Sequence, residues 1–314
     1  MIEVDLVYLW VNGNDPKWAA KRDACIGAPT RRQENCTARY ADSGELKYSL
    51  RSVEKYAPWI RKIFIITDDQ VPEWLDVTNP RICIVDHKDI MPAECLPCFN
   101  STLLEHFVPH VPGLSEHFIY GNDDTYLNQP VTPSVFFADD QKPMIYMFRK
   151  PFRKYVLAAV IFIREKVLRK PMNLYVEIVR NAARLVEERY GIYCACKPHH
   201  NFDAYLKSNI LRTQGEFQDK IVAMYSHHKR YPDDVHRSLY NFAAIAEGTG
   251  HLRYVSRSHS FSLNIHRRKH YAEFEHCHPV FFCMNDTPRA TDEDRMCSIA
   301  YLQKMFPEKS QFEK

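Results

Sequence analysis

The stretch IYGNDDTY (119–126) sets Asn122, Asp123 and Asp124 side by side between apolar and aromatic residues. Two adjacent carboxylates repel each other when buried, and a hard divalent cation placed between them and a diphosphate removes that repulsion. Mg2+ or Mn2+ bound this way keeps part of its water and shares phosphate oxygens. The plainer reading is that both aspartates simply cap a turn after a strand. Asp15, Asp68 and Asp286 also stand just beyond apolar runs of strand length. Arg39, Lys47, Arg51, Arg230 and Arg237 are the basic counterparts. A guanidinium grips phosphate oxygens two at a time and neutralises charge that develops in phosphoryl transfer.

Of the 15 histidines, many fall after residue 195. In PHH and SHHKR (198–200, 226–230), a neutral imidazole could take a proton from a sugar hydroxyl near physiological pH. The competing reading of CACKPHH (194–200) is structural zinc held by Cys194, Cys196, His199 and His200, with Cys95 and Cys98 as another pair. The Cys-x-Cys spacing and Pro97 inside the second pair both count against it.

An α/β scaffold would position these groups. VDLVYLWV (4–11) is a nearly unbroken apolar run, as in a parallel strand buried on both faces. Residues 43–59 read as a helix capped by Ser43, with Leu46, Leu50 and Val53 on one stripe and Pro58 closing it. KIFIIT (62–67), RICIVDH (81–87) and EHFIYGNDD (116–124) follow as strands, with acids at the carboxyl ends of the first and last. In open α/β sheets ligands sit beyond those ends. Residues 151–196 read as helical and basic, with a helix closed by Gly191. Residues 199–270 read as short helices and loops, and strand character returns at 251–256 and 279–286.

The 314 residues carry 45% hydrophobic and 26% charged side chains, an ordinary globular balance. A net charge of +3 gives no argument for nucleic acid. The opening segment has no basic n-region and no apolar run reaches 18 residues, so a cytoplasmic protein with ten mostly reduced cysteines is expected. Two readings stand for PFRKYVLAAVIFIREKVLRK (151–170): a packing or oligomer element, or a basic surface lying on the inner membrane leaflet.

VDLVYLWVNGNDPKW, ARYADSGELKYSLRSVEKYAPWIRKIFIITDDQVPEWL, HFIYGNDDTYLNQPV and FFCMND…FPEKSQFE resemble the conserved regions of the Stealth family of sugar-1-phosphate transferases. That family includes bacterial capsular-polysaccharide phosphotransferases and the animal GlcNAc-1-phosphotransferase. The resemblance implies a glycosyltransferase-A-like, Rossmann-like core with a mostly helical insertion, organised as an α/β nucleotide-sugar-binding half over 1–140, the insertion over 141–196 and the second part of the catalytic core over 197–314. It implies that Trp10, Asn12, Gly13 and Asp15 belong to the donor-nucleotide site. Arg39, Glu45, Arg51 and Asp68 fall where the family keeps donor or phosphate contacts. Asn122, Asp123 and Asp124 match its NDD motif, and Asp286 matches the acid of its fourth region. Arg230 with Asp234 fits its Arg-x-x-x-Asp, and His200 falls where the catalytic histidine is placed, with His199 as the alternative. The implied reaction moves hexose-1-phosphate, with UDP-GlcNAc as the expected donor, to a hydroxyl of a polysaccharide acceptor and releases a nucleoside monophosphate. Asp123, Asp124 and Asp286 would hold Mg2+ or Mn2+, His200 would act as base, and Arg230 with Arg51 or Arg39 would stabilise the transition state. The rival readings are a metal-dependent glycosyltransferase that releases the nucleoside diphosphate and a carbohydrate-binding protein without turnover.

Overall fold

Side-chain alternation along one strand shows how the core is divided. The computed structural model describes residues 2–30 and 35–314. In β1 (Val4–Leu9), Val4, Leu6 and Tyr8 point into one apolar layer and Val7 into another. Neither face meets water, which is why the run is apolar apart from Asp5, which is buried and paired with Arg61. β2 (Ile63–Thr67) and β3 (Ile82–Asp86) extend the sheet in parallel on one side of β1, and β4 (His117–Asn122) lies parallel on the other. β5 (Thr125–Leu127) leaves this sheet directly after the paired aspartates.

β6 (Met144–Arg149) pairs with the short β7 (Cys196–Pro198), and β8 (Asp203–Leu206) joins β4 antiparallel. The central order is β3-β2-β1-β4-β8. β9 (His251–Tyr254) runs parallel to β6, while β10 (Ser260–Asn264) and β11 (Phe281–Asn285) form a third sheet with β5. The α/β class expected from the sequence is therefore the observed one. β6, β7, β8 and β10 fall where the sequence suggested helix or loop or gave no strand signal. At three to six residues, with Pro198 inside one, they are too short for a period to register.

The helix Glu45–Tyr56 buries Leu46, Leu50 and Val53 on one face of the central sheet. It does not start from a Ser43 cap as expected. Gly44 at φ 92° precedes it, and the Glu45 carboxylate reaches back to accept from Ser43 N at 2.7 Å. On the opposite face, the helices Leu174–Tyr190 and Ser238–Glu247 share a core with Val7, Phe64 and Phe118. Leu174–Tyr190 starts at the Asn173 cap and stops at Gly191, which is left-handed at φ 71°. The helix Arg153–Phe162 and the π-helical turn Ile163–Val167 bury no side chain. No helix among the described residues is long and apolar enough to cross a membrane. All ten cysteines are unpaired.

Candidate functional site

The parallel strands end level with one another. Leu9 is in register with Asn122, and Thr67 with Asp86. Beyond these ends lies a cleft of about 230 Å3 whose lining includes Trp10, Arg39, Glu105, Asp123, His200 and Arg230. Trp10 also borders an adjoining groove with Asn12, Asp15 and Gln70.

The acids gather at the turn between β4 and β5. Burial first, then Asp124, Glu45 and Asp42, hold the Asp123 carboxyl well above its ordinary range. Burial also raises Asp124 to about 6, with Asp286 adding to the effect and the Cys283 thiol opposing it. Glu45 rises to about 7, chiefly by burial and further by Asp42 and Asp124. Buried carboxylates this close favour protonation or a cation. Asp124 Oδ2 lies 3.1 Å from Cys283 Sγ, and Asp124 Oδ1 is buried without a hydrogen-bond partner. Ligand atoms of Asp124, His200 and Cys283 all lie within 4.8 Å of one another. The adjacent carboxylates, with Asp124 Oδ1 left without a partner, fit a hard divalent ion, while the Cys283 thiol, which burial holds protonated, is a donor that such an ion does not favour. Asp286 is placed differently from the expected three-acid set. It acts on Asp124 electrostatically but is itself paired with Arg295, with Nε at 2.7 Å from Oδ2.

The other wall comes from late in the chain. β8 docks on β4, and Phe202 just before it packs onto Gly121, where a Cβ would lie 2.5 Å from the ring. That close approach carries His200 to the cleft, with Nε2 3.4 Å from Asn122 Nδ2. Burial and the Arg237 charge lower its pKa to about 4, so the imidazole is neutral at physiological pH. Arg230 donates from Nη2 to Ser101 Oγ at 2.6 Å, and its Nε is buried without a hydrogen-bond partner. Sequence reasoning missed Glu105. Tyr120 OH donates to Glu105 Oε1 and also lies 3.2 Å from Asn122 Oδ1, while Glu105 Oε2 is buried and unpartnered. Nothing in the spacing around Glu105 marks it, because it follows a single helical turn and reaches the cleft only through the fold. Cys283 was missed because a thiol inside an apolar strand reads as core.

Several expected site residues stand elsewhere. Arg51 donates both Nε and Nη2 to Glu313 and Nη1 to Phe306 O, so its guanidinium is committed to the end of the chain. His199 is 1% exposed, with Nδ1 3.1 Å from Ser260 Oγ and its ring against Tyr146 and Phe281, so it lies in the core and not in the cleft. Arg237 is buried beneath the cleft, 2.9 Å from Asp203 and stacked 4.4 Å from the Tyr120 ring centroid. Asp68 is buried and bonded to Lys21 at 2.5 Å. Asp15 caps the helix Pro16–Ile26 through Lys17 N and Trp18 N. Asn12 and Asp15 both bond to Gln70. Gly13 donates to Tyr40 O at 2.7 Å, and a Cβ there would fall 2.1 Å from that oxygen. These loop residues shape the approach to the cleft. Neither cysteine pair joins a metal-binding group with histidines among the described residues.

Two family models match: Stealth protein conserved region 1 over residues 3–28 and conserved region 2 over residues 39–145. Capsular polysaccharide phosphotransferase WcwK of Streptococcus pneumoniae is 28% identical over 334 residues, the whole of both chains. Exopolysaccharide phosphotransferase SCO6023 of Streptomyces coelicolor is 32% identical over 332 residues, 99% of this chain and 52% of the relative. Exopolysaccharide phosphotransferase cps2G of Lactiplantibacillus plantarum is 47% identical over 141 residues, 45% of this chain and 41% of the relative. The match thus spans all of the pneumococcal relative and about half or less of the other two. Among solved structures, the galactosyltransferase LgtC matches with a TM-score of 0.45 at 10% identity, covering 98% of this chain and 96% of LgtC. The glycosyltransferase GlyE of Streptococcus pneumoniae TIGR4 matches with a TM-score of 0.42 at 10% identity, covering 98% of this chain and 62% of GlyE.

Proposed function

The chain belongs to the Stealth family, and on that premise we propose that it transfers hexose-1-phosphate from a nucleotide sugar to a hydroxyl of a cell-surface polysaccharide. Relatives that carry the name polysaccharide phosphotransferase over the full chain support the class. One observation carries the chemistry: a single cleft holds Asp123 and Asp124 on one side and a neutral imidazole and a guanidinium, His200 and Arg230, on the other. The donor proposed is UDP-GlcNAc, and the acceptor is a sugar hydroxyl.

In this reaction the acceptor oxygen bonds to the phosphorus that carries the sugar, and the bond to the bridging oxygen breaks. The nucleoside monophosphate leaves, and a sugar-phosphate-sugar diester remains. His200 takes the proton of the attacking hydroxyl. Arg230, beside Arg39, stabilises charge on the phosphoryl oxygens. Asp123 and Asp124 would hold Mg2+ or Mn2+, which when bound neutralises the diphosphate. Asn122 orients His200, and Glu105 braces Asn122 through Tyr120. Trp10, Asn12 and Asp15 bound the groove proposed for the nucleotide, and Gly13 ties its loop to Tyr40 O. The protein is proposed to work in the cytoplasm, peripherally at the membrane where the polysaccharide is built.

The test is incubation with Mg2+ and a panel of nucleotide sugars, with the released nucleotide identified by mass. UMP supports the reading. UDP replaces it with glycosyl transfer, and no nucleotide from any donor replaces it with a binding protein.

A further inference from the structure

We propose that the segment 149–170 is a membrane-docking face that lies in the headgroup region of an anionic lipid surface. This goes beyond the reaction proposed above and does not depend on it. Phe152, Val156, Val160, Ile163 and Val167 recur at helical spacing and form one stripe. Each is exposed, from 37% at Val160 to 70% at Phe152. Tyr155 and Phe162 flank the stripe at 73% and 62%. Soluble surfaces carry such residues singly, and a contiguous patch marks a partner.

The charge around the stripe says which partner. Residues 149–170 hold eight basic residues against the single acid Glu165, a net charge of +7, while the whole chain carries only +3. Lys150, Lys166, Arg169 and Lys170 are exposed at the two ends of the helical run, while Lys154 pairs with Glu187, Arg164 donates to Pro171 O and Arg149 lies over the Tyr254 ring. Aromatic and aliphatic residues between basic ends are the pattern of a helix that lies on a bilayer instead of crossing it. Basic side chains at that depth are attracted by anionic headgroups. A second copy of the chain fits poorly, since a two-fold contact would press this positive face against itself.

The position also suits the cleft. Arg153 reaches Tyr175 electrostatically, and the Tyr175 ring packs edge-on to His200 at 6.4 Å between centroids. Docking here holds the His200 wall beside the lipid surface, where a lipid-borne acceptor would present its sugar.

The experiment is co-sedimentation of the full chain with vesicles of phosphatidylglycerol and phosphatidylcholine in roughly equal parts at low salt, without donor or acceptor. The wild type is compared with the triple variants Phe152→Ser/Phe162→Ser/Ile163→Ser and Lys166→Glu/Arg169→Glu/Lys170→Glu. These side chains are not buried, so circular dichroism should show the wild-type fold in both. The inference expects binding to the mixed vesicles, loss of binding at high salt, and binding weakened about tenfold or more in each variant. No sedimentation with anionic vesicles at low salt overturns it, as does unchanged binding in both variants. Self-association of the wild type that the serine variant abolishes also overturns it and assigns the face to a second copy. Because turnover is not read, none of these outcomes bears on the reaction.

Discussion

Arg51 and Glu313 face each other as a two-point ion pair, Nε to Oε1 and Nη2 to Oε2, each at 2.7 Å. Both side chains are almost wholly buried, at 7% and 4%. The remaining nitrogen donates to Phe306 O at 2.8 Å. The pair ties the helix Glu45–Tyr56 to the closing segment, which also bridges Leu75 to Glu313.

Arg51→Ala leaves a buried carboxylate unpaired and should cost about 3–5 kcal/mol of stability. Denaturant unfolding measures this. Turnover per folded molecule should hold. A variant that unfolds like the wild type but has lost turnover would return Arg51 to the phosphate.

His199 and His200 should separate cleanly. His200→Ala is expected to lower kcat by about 10^2 to 10^4 with donor binding retained, the range for loss of a positioned base. His199→Ala removes a buried partner of Ser260 and should cost about 1–3 kcal/mol in folding instead. Equal loss of turnover in both, with neither less stable, would contradict this division.

The paired aspartates predict opposite effects on stability and activity. Asp124→Asn removes a buried charge beside Asp123, so the variant should melt higher than the wild type without divalent ions. The wild type should gain about 2.7 kcal/mol from Mg2+ or Mn2+ at a hundred times Kd, and the variant should gain little. Thermal melts with and without chelator measure both, and nucleotide release by Asp124→Asn should fall by about 10^2 or more.

Acid should destabilise the fold through buried histidines. Burial lowers His106 and His259 to about 4 from 6.5. A depressed histidine pKa means that the unfolded chain takes up the proton first. Stability is full above pH 6.5 and is lost as pH falls from there towards 4, by up to about 1.4 kcal/mol per pH unit for each histidine. His106 Nδ1 faces Tyr240 OH, and Nε2 lies 2.8 Å from Val235 O. Urea midpoints at pH 7 and 5 should therefore draw closer together in His106→Gln than in the wild type.

The first half of the fold was legible because its strands carry long apolar runs and its helix an apolar stripe. The NDD turn and its carboxylates were legible because adjacent acids after a buried strand need a physical reason. What stayed hidden depended on distance. β8 spans four residues with no period of its own, yet it decides that His200 faces the cleft and His199 the core. Arg51 and Arg230 look alike as sequence. Their difference lies in Glu313, 262 positions away from Arg51, and no local pattern carries that. Glu105 was invisible for the same reason, whereas Cys283 was hidden inside an apolar strand, where a thiol reads as core.

The antiparallel seam between β4 and β8 joins parts of the chain made at different times. A chain cut anywhere in 130–195 leaves one piece with the aspartates and another with His200 and Arg230. Contacts of such long sequence separation close late in folding. A nascent chain would therefore display its acids long before any base stands opposite them, and it stays inert towards activated sugars until the seam has formed.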